Sequence, residues 1–305
     1  MTPLRRRLSV LFVAILLALF RAADPAFGQD KFKIALWGDS RENLDHACEQ
    51  IADVLLNKIT DWDIQVHTGD FTHHGAREDW ERTLGFKGVR QLFQKGRILL
   101  STSNHDAEDP ADRAIWDEYT KGVLPTNPVD HSTHFYGFRR GNVRIAVCDS
   151  YFTDSLTMQN WLDDFLKDAR PSDWLIGVWH NVSYGDLTYK ETYLPKCGEW
   201  IRSLQRHGGD FILNGHAHVY VRTKPLAPDG TLDEKSGLVT IINGTGGASW
   251  KEPVTPREKI AYTPSERSFP TITFLTFSGD SANVRTVDVR PESNLKVIDE
   301  WGWKR

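Results

Sequence analysis

The chain has 305 residues, 40% of them hydrophobic and 26% charged, with 37 Lys and Arg against 41 Asp and Glu for a net charge of −4. This composition excludes a disordered chain, a collagen-like repeat and a multi-span membrane protein, and with no basic excess nucleic-acid binding is not expected. Three cysteines, Cys48, Cys148 and Cys197, are too few and too widely spaced for a disulfide scaffold or a zinc ribbon.

Residues 1–28 read as a signal peptide. Arg5, Arg6 and Arg7 precede an apolar run from Leu8 to Phe20, and Ala26, Phe27 and Gly28 place small residues at the −3 and −1 positions of a cleavage site. The run is short for a membrane span. The expectation is an exported protein, periplasmic or secreted, with no stable membrane partner once the segment is removed. Residues 29–305 contain no linker, low-complexity tract or internal repeat and are expected to form a single domain.

Within that domain, short apolar runs alternate with amphipathic stretches. Strands are predicted at 32–37, 64–67 and 98–101, with helices at 44–59, 78–93 and 111–119 between and after them. A hairpin is predicted from 135–138 and 143–148, turning at Arg140, Gly141 and Asn142. A helix at 158–167, a strand at 174–179, a helix at 199–206 and a strand at 211–213 follow. Beyond Val219 the pattern becomes all-β, with strands at 239–242, 271–277 and 282–287. Alternating strands and helices followed by strands predict an α/β core with added antiparallel strands.

The chemistry-bearing residues sit where the strands stop. Gly38-Asp39 follows the first strand and Gly69-Asp70 the second, with Asn104-His105-Asp106 after the third. His180 ends the strand at 174–179, and Gly215-His216-Ala217-His218 follows 211–213. Ligands of open α/β sheets bind beyond the carboxyl ends of the strands, so five strand ends present two carboxylates, an amide and imidazoles to one place. Such a mixture of oxygen and nitrogen donors suits Mn, Fe or Zn. Gly279-Asp280 is a hairpin tip. His46 and His207 read as solvated or capping residues, His67 as a packed strand residue, and His131 and His134 as loop residues.

In this order and spacing the motifs resemble those of the calcineurin-like metallophosphoesterases. Gln159 to Leu162 and the Gly215 to Tyr220 run are most similar to the purple acid phosphatase branch. The resemblance implies a four-layer α/β/β/α sandwich with two metal ions at the edge of the paired sheets. It implies that Asp70 bridges the ions, Asp39 and His218 bind one, and Asn104, His180 and His216 bind the other. His105 would assist the leaving group, with Asp106 holding its imidazole. The chemistry implied is attack on a small-molecule phosphoester by a hydroxide shared between the ions. A degenerate, non-hydrolytic binding module on the same fold would be expected to have lost several ligands.

Two positions depart from the family pattern. Arg41 stands where the first motif usually has a ligating His, and His73 where purple acid phosphatases have a Tyr. The expectation is that His73 supplies the missing imidazole to the first ion. Arg41 is a candidate contact to substrate phosphate, which guanidinium matches bidentately.

Overall fold

The structure is a computed structural model that describes residues 31–305 except 108, 186, 188–194 and 256; the expected signal segment lies outside the described residues. Thirteen strands among the described residues form two sheets. In the first, β1 (Phe32–Trp37), β2 (Ile64–His67) and β3 (Ile98–Leu100) run parallel. The antiparallel strands β11 (Thr271–Ser278), β12 (Ser281–Asp288) and β13 (Val297–Lys304) extend it beyond β1. In the second, β5 (Val143–Val147), β6 (Trp174–Val178), β7 (Phe211–Asn214) and β9 (Val239–Asn243) form a parallel centre. Its antiparallel flanks are β4 (Tyr136–Arg140) on one side, and β8 (Tyr220–Thr223) with β10 (Ile260–Tyr262) on the other.

Helices cover the outer faces. Gln65 and Trp37 share a hydrogen bond of 3.1 Å, and Gln65 Nε2 donates to Leu92 O at 3.0 Å, so this face of the six-stranded sheet looks toward helices. These are α1 (Ala47–Asp53), α2 (Arg77–Gly85) and α3 (Val89–Gln94), which contribute Ile51, Trp80, Leu84 and Phe93 to the packing. Pleating turns the alternate residues Leu36 and Val66 to the opposite face, toward the second sheet. On the far side, α5 (Ser155–Leu166) and α6 (Pro195–Arg206) press Trp161, Leu162, Trp200 and Leu204 onto Ala146, Leu175 and Ile212. The remaining helix, α4 (Asp112–Thr120), follows the β3 loop. The result is the four-layer α/β/β/α sandwich.

The structure differs from the sequence expectation in two helices. The expected helix at 44–59 starts late, because Asn43, Asp45 and His46 adopt left-handed φ values of 50°, 51° and 59°, and it ends in a π-helical turn at Val54–Lys58. The expected helix at 78–93 breaks into α2 and α3 at Gly88. Its φ of 83° favours glycine, and a Cβ there would lie 2.9 Å from Ala52 Cβ. Strands β8, β10 and β13 were not predicted. Among the described residues no helix is long and apolar enough to cross a membrane.

Candidate metal centre

Asp39 and Asp70 leave β1 and β2 with φ of 58° and 54°, and His216 and His218 follow β7 with 67° and 52°. Such left-handed values are uncommon outside glycine, and four of them at one place indicate backbone strain held by the surrounding structure. The bracing is visible. Asp39 N donates to Gly69 O at 2.9 Å, while Ser40 N and Arg41 N donate to Asp70 O at 2.9 and 3.1 Å. His216 N donates to both carboxylate oxygens of Asp39, at 2.9 and 3.0 Å. Gly69, with φ 97°, lets the turn pass beneath His180; a Cβ there would stand 2.8 Å from His180 Nδ1.

Two of the three inward imidazoles are oriented through Nδ1. His180 Nδ1 donates to Thr68 O at 2.8 Å, which turns Nε2 toward Asp70 Oδ1 at 3.2 Å and His216 Nδ1 at 3.0 Å. His218 Nδ1 donates to Ser249 O at 3.0 Å, leaving Nε2 facing Asp39 Oδ1 at 3.5 Å and Asp70 Oδ2 at 4.0 Å. Backbone carbonyls that fix a ring in this way are the usual partners of metal-binding histidines. Asp39, Asp70 and His180 are fully buried, and their ligand atoms lie within 4.8 Å of one another. Asn104 Oδ1 is buried with no hydrogen-bond partner. A buried amide oxygen without a donor is costly, and a cation between these groups would satisfy it. The donor set therefore fits a metal.

Electrostatics agree with that fit. Burial alone would raise the Asp70 carboxyl, but His180, His105 and Arg41 around it hold it well below the usual carboxylate range. Burial likewise opposes charge on His180, and Asp70 and Asp39 outweigh it, pushing the imidazole up to about 9. His67 behaves oppositely: burial pushes it down to about 3. Its ring accepts from Gly69 N at 3.2 Å and meets Ser40 Oγ at 3.0 Å, so it is a packing residue beneath the loops.

Three expectations need correction or relocation. Asp106 does not hold His105. Its carboxylate accepts from Thr72 N at 2.8 Å, Thr72 Oγ1 at 2.9 Å and Ser103 Oγ at 2.7 Å, and so ties the β2 and β3 loops together. The partner of His105 is the His73 carbonyl, 2.8 Å from Nδ1. His73 is not brought into the Asp39–Asp70–His180 cluster. Its ring sits edge-on to His74 at 4.2 Å and stacks at 5.8 Å on His105. Burial, then His74, Arg41 and His105, lower its affinity for a proton. Arg41, the candidate phosphate contact, lies against a carboxylate of the site. Its Nε lies 3.4 Å from Asp70 Oδ2 and its side chain is 10% exposed. His134 lies in the loop before β4, as expected, and is fully buried there, facing Asp117 at 3.0 Å.

The sequence also gave no hint of Thr68 and Ser249, whose backbone carbonyls aim the ligands. Only the fold brings such main-chain groups to the site. The Tyr151 hydroxyl, which donates to Asn181 Oδ1 at 2.7 Å beside His180, was missed for the same reason.

The profile of the calcineurin-like phosphoesterase family matches residues 32–220. The chain belongs to that family. Its similarity within the family runs to purple acid phosphatases. Purple acid phosphatase 15 of Arabidopsis thaliana is 28% identical over 52% of this chain and 31% of its own length. A nucleotide pyrophosphatase/phosphodiesterase of Hordeum vulgare is 23% identical over 64% of this chain and 60% of its own. The chain thus spans less than two thirds of either relative. Among solved structures, purple acid phosphatase PPD1 of yellow lupin superposes with a TM-score of 0.65 over 91% of this chain and 54% of its own, at 16% identity. These likenesses support the sandwich fold of a calcineurin-like phosphoesterase.

Proposed function

We propose that residues 29–305 form a single-domain hydrolase, exported after removal of 1–28, that cleaves small phosphate esters with two divalent metal ions. In this reading Asp70 would be shared by both ions, Asp39 and His218 would hold one, and Asn104, His180 and His216 would hold the other. When bound, the ions supply positive charge at the phosphoryl oxygens and bring a water's pKa toward neutrality. His105 donates Nδ1–H to the His73 carbonyl, so the proton offered to the departing oxygen would be the Nε2–H of its imidazolium form, leaving the ring neutral. Arg41, next to Asp70 and 3.3 Å from His105 Nδ1, presents guanidinium donors that match phosphate oxygens.

What carries the reading is the convergence of Asp39, Asp70, His180, His216 and His218 from two sheets, with the Asn104 oxygen buried and unpartnered on the loop after β3. A binding module would not need His105 kept beside that centre. The test is elemental analysis of Mn²⁺-saturated protein together with a panel of phosphate mono- and diesters. Two ions per chain, and hydrolysis abolished by a chelator, are expected. A folded, metal-supplemented sample without stoichiometric metal would overturn the reading. The intact mass of exported protein, expected to begin near Gln29, tests the export arm.

A further inference from the structure

The two oxygens of Asp70 face different surroundings. Oδ1 lies 3.2 Å from His180 Nε2, which in turn lies 3.0 Å from His216 Nδ1. Oδ2 lies 4.0 Å from His218 Nε2 and 3.4 Å from Arg41 Nε. One side of the bridging carboxylate therefore meets imidazoles, and the other already meets a cation.

Arg41 is held in that position. Its backbone N donates to Asp70 O at 3.1 Å, Nη2 is 3.6 Å from Glu42 Oε1, and Nη1 is 3.3 Å from His105 Nδ1. The residue is 9% exposed, and Nε is buried with no hydrogen-bond partner. A guanidinium is a fixed cation with donors only, so it cannot ligate a metal and its charge repels one. An ion entering among Asp39, Asp70 and His218 meets this like charge at close range in a low-dielectric cleft. It also lacks the imidazole for which Arg41 is substituted, and His73 is turned away toward His74 and His105. An ion among Asp70, Asn104, His180 and His216 has the full ligand set.

We propose that Arg41 makes the two metal sites strongly unequal. The site of Asp70, Asn104, His180 and His216 fills first, and the site of Asp39, Asp70 and His218 binds about a hundredfold more weakly, in line with the effect of one altered partner at a metal site. Until the weaker site fills, the guanidinium of Arg41 provides the positive charge at Asp70 Oδ2. This rests on the metal-dependent reading above and adds that the second ion is bound only at high metal concentration.

The experiment is a Mn²⁺ titration of the metal-free full chain, followed by calorimetry and by electron paramagnetic resonance of bound ions. Wild type is expected to bind one ion tightly and the second about a hundredfold more weakly. Arg41→His, which removes the fixed charge and restores an imidazole, should bring the two constants within about tenfold. It should also give the coupled signal of a paired Mn centre at low added metal. Arg41→Gln, which removes charge without adding a ligand, should close part of the gap, and His73→Ala should leave both constants unchanged. Circular dichroism and thermal unfolding establish that each variant is folded. Wild type filling both sites within tenfold of each other overturns the proposal, as does a gap that Arg41→His and Arg41→Gln leave untouched. Folded wild type that binds no Mn²⁺ at all overturns the metal reading itself, so the two failures are distinct.

Discussion

The two sheets bring different chemistry to the cleft. The six-stranded sheet supplies oxygen, through Asp39, Asp70 and Asn104 at the ends of β1, β2 and β3. The seven-stranded sheet supplies nitrogen, through His180 after β6 and His216 and His218 after β7. Their construction differs too. Strands β6 and β9 are buried at every position, whereas burial alternates along the first half of β12. That difference lies away from the site: β2, β3, β6 and β7, which end there, are buried at every position. Asp39, Asp70, His216 and His218 all sit on left-handed turns. Neither sheet alone supplies both kinds of donor, so the candidate site is a property of the interface between them.

That interface is polar at the site end and apolar at the other. Near the site, Asn243 of β9 donates to Leu36 O at 3.3 Å and to Thr273 Oγ1 at 3.0 Å. At the far end, Trp174 and Phe211 pack on Phe277 and Trp303, with ring centroids 5.4 and 5.5 Å apart. The apolar end supplies cohesion, and the polar end fixes where the oxygen and nitrogen donors meet.

The largest effect is expected where both halves depend on one residue. Asp70→Asn keeps the shape but removes the charge shared by the two sites. Metal-supplied stabilisation is worth several kcal/mol, and each 1.4 kcal/mol is tenfold, so activity should fall by about 10⁴-fold together with bound metal. Near-normal metal content in this variant would break the idea of a shared carboxylate. His105→Ala comes next. Its kcat should drop by about 10²–10³-fold with metal content intact, and the loss should shrink for nitrophenyl esters, whose leaving groups need little protonation. An equal loss across leaving groups would remove the proton-donor role.

The same contrast between sheets explains what the sequence made legible. Strands such as β1 and β6 are near-continuous apolar runs, and Asp39, Asp70, Asn104, His180, His216 and His218 sit two to four residues beyond the end of a strand. β8 and β13 were illegible because their key residues are charged. Arg222 and Asp299 join the two sheets in a buried pair, with nitrogen–oxygen distances of 2.7 and 2.9 Å, and Tyr220 donates to the same carboxylate at 2.8 Å. A buried ion pair between strands distant in sequence leaves no periodic trace. Asp106 was misjudged for a related reason. Its residue type was right for the cleft, but its partners are Thr72 of another loop and Ser103 of its own.

Loosening the polar tie tests whether the interface sets the site. In Asn243→Ala the Leu36 carbonyl loses a donor, and the Thr245 and Thr271 hydroxyls, 2.9 and 3.1 Å from Asn243 Oδ1, lose an acceptor. Stability should drop by about 2 kcal/mol in denaturant unfolding, with a several-fold loss of metal affinity as the sheets shift. Reduced stability with unchanged metal affinity would show that the donors are positioned within each sheet rather than between them.

The smallest effect is expected at the end of β7 away from the metal. Asp210 precedes β7 as His216 follows it; its carboxylate accepts from Leu175 N at 2.8 Å and from Arg305 Nε at 2.9 Å. Burial pushes this carboxyl from 3.8 up to about 6, with Arg305 offsetting part of the rise. A raised acid binds its proton more readily in the folded state, so its contribution is most favourable below about pH 4 and is lost as pH rises through about 6. Asp210→Asn has no such dependence. Whatever its absolute stability, the difference between variant and wild type should move in the variant's favour between about pH 4 and 6, by at most about 3 kcal/mol. Metal content and kcat should stay unchanged, because the substitution touches the opposite end of the strand. A difference flat across that window would show that Arg305 fully compensates the burial of Asp210. A change in metal content would show instead that the two ends of β7 are coupled through the strand.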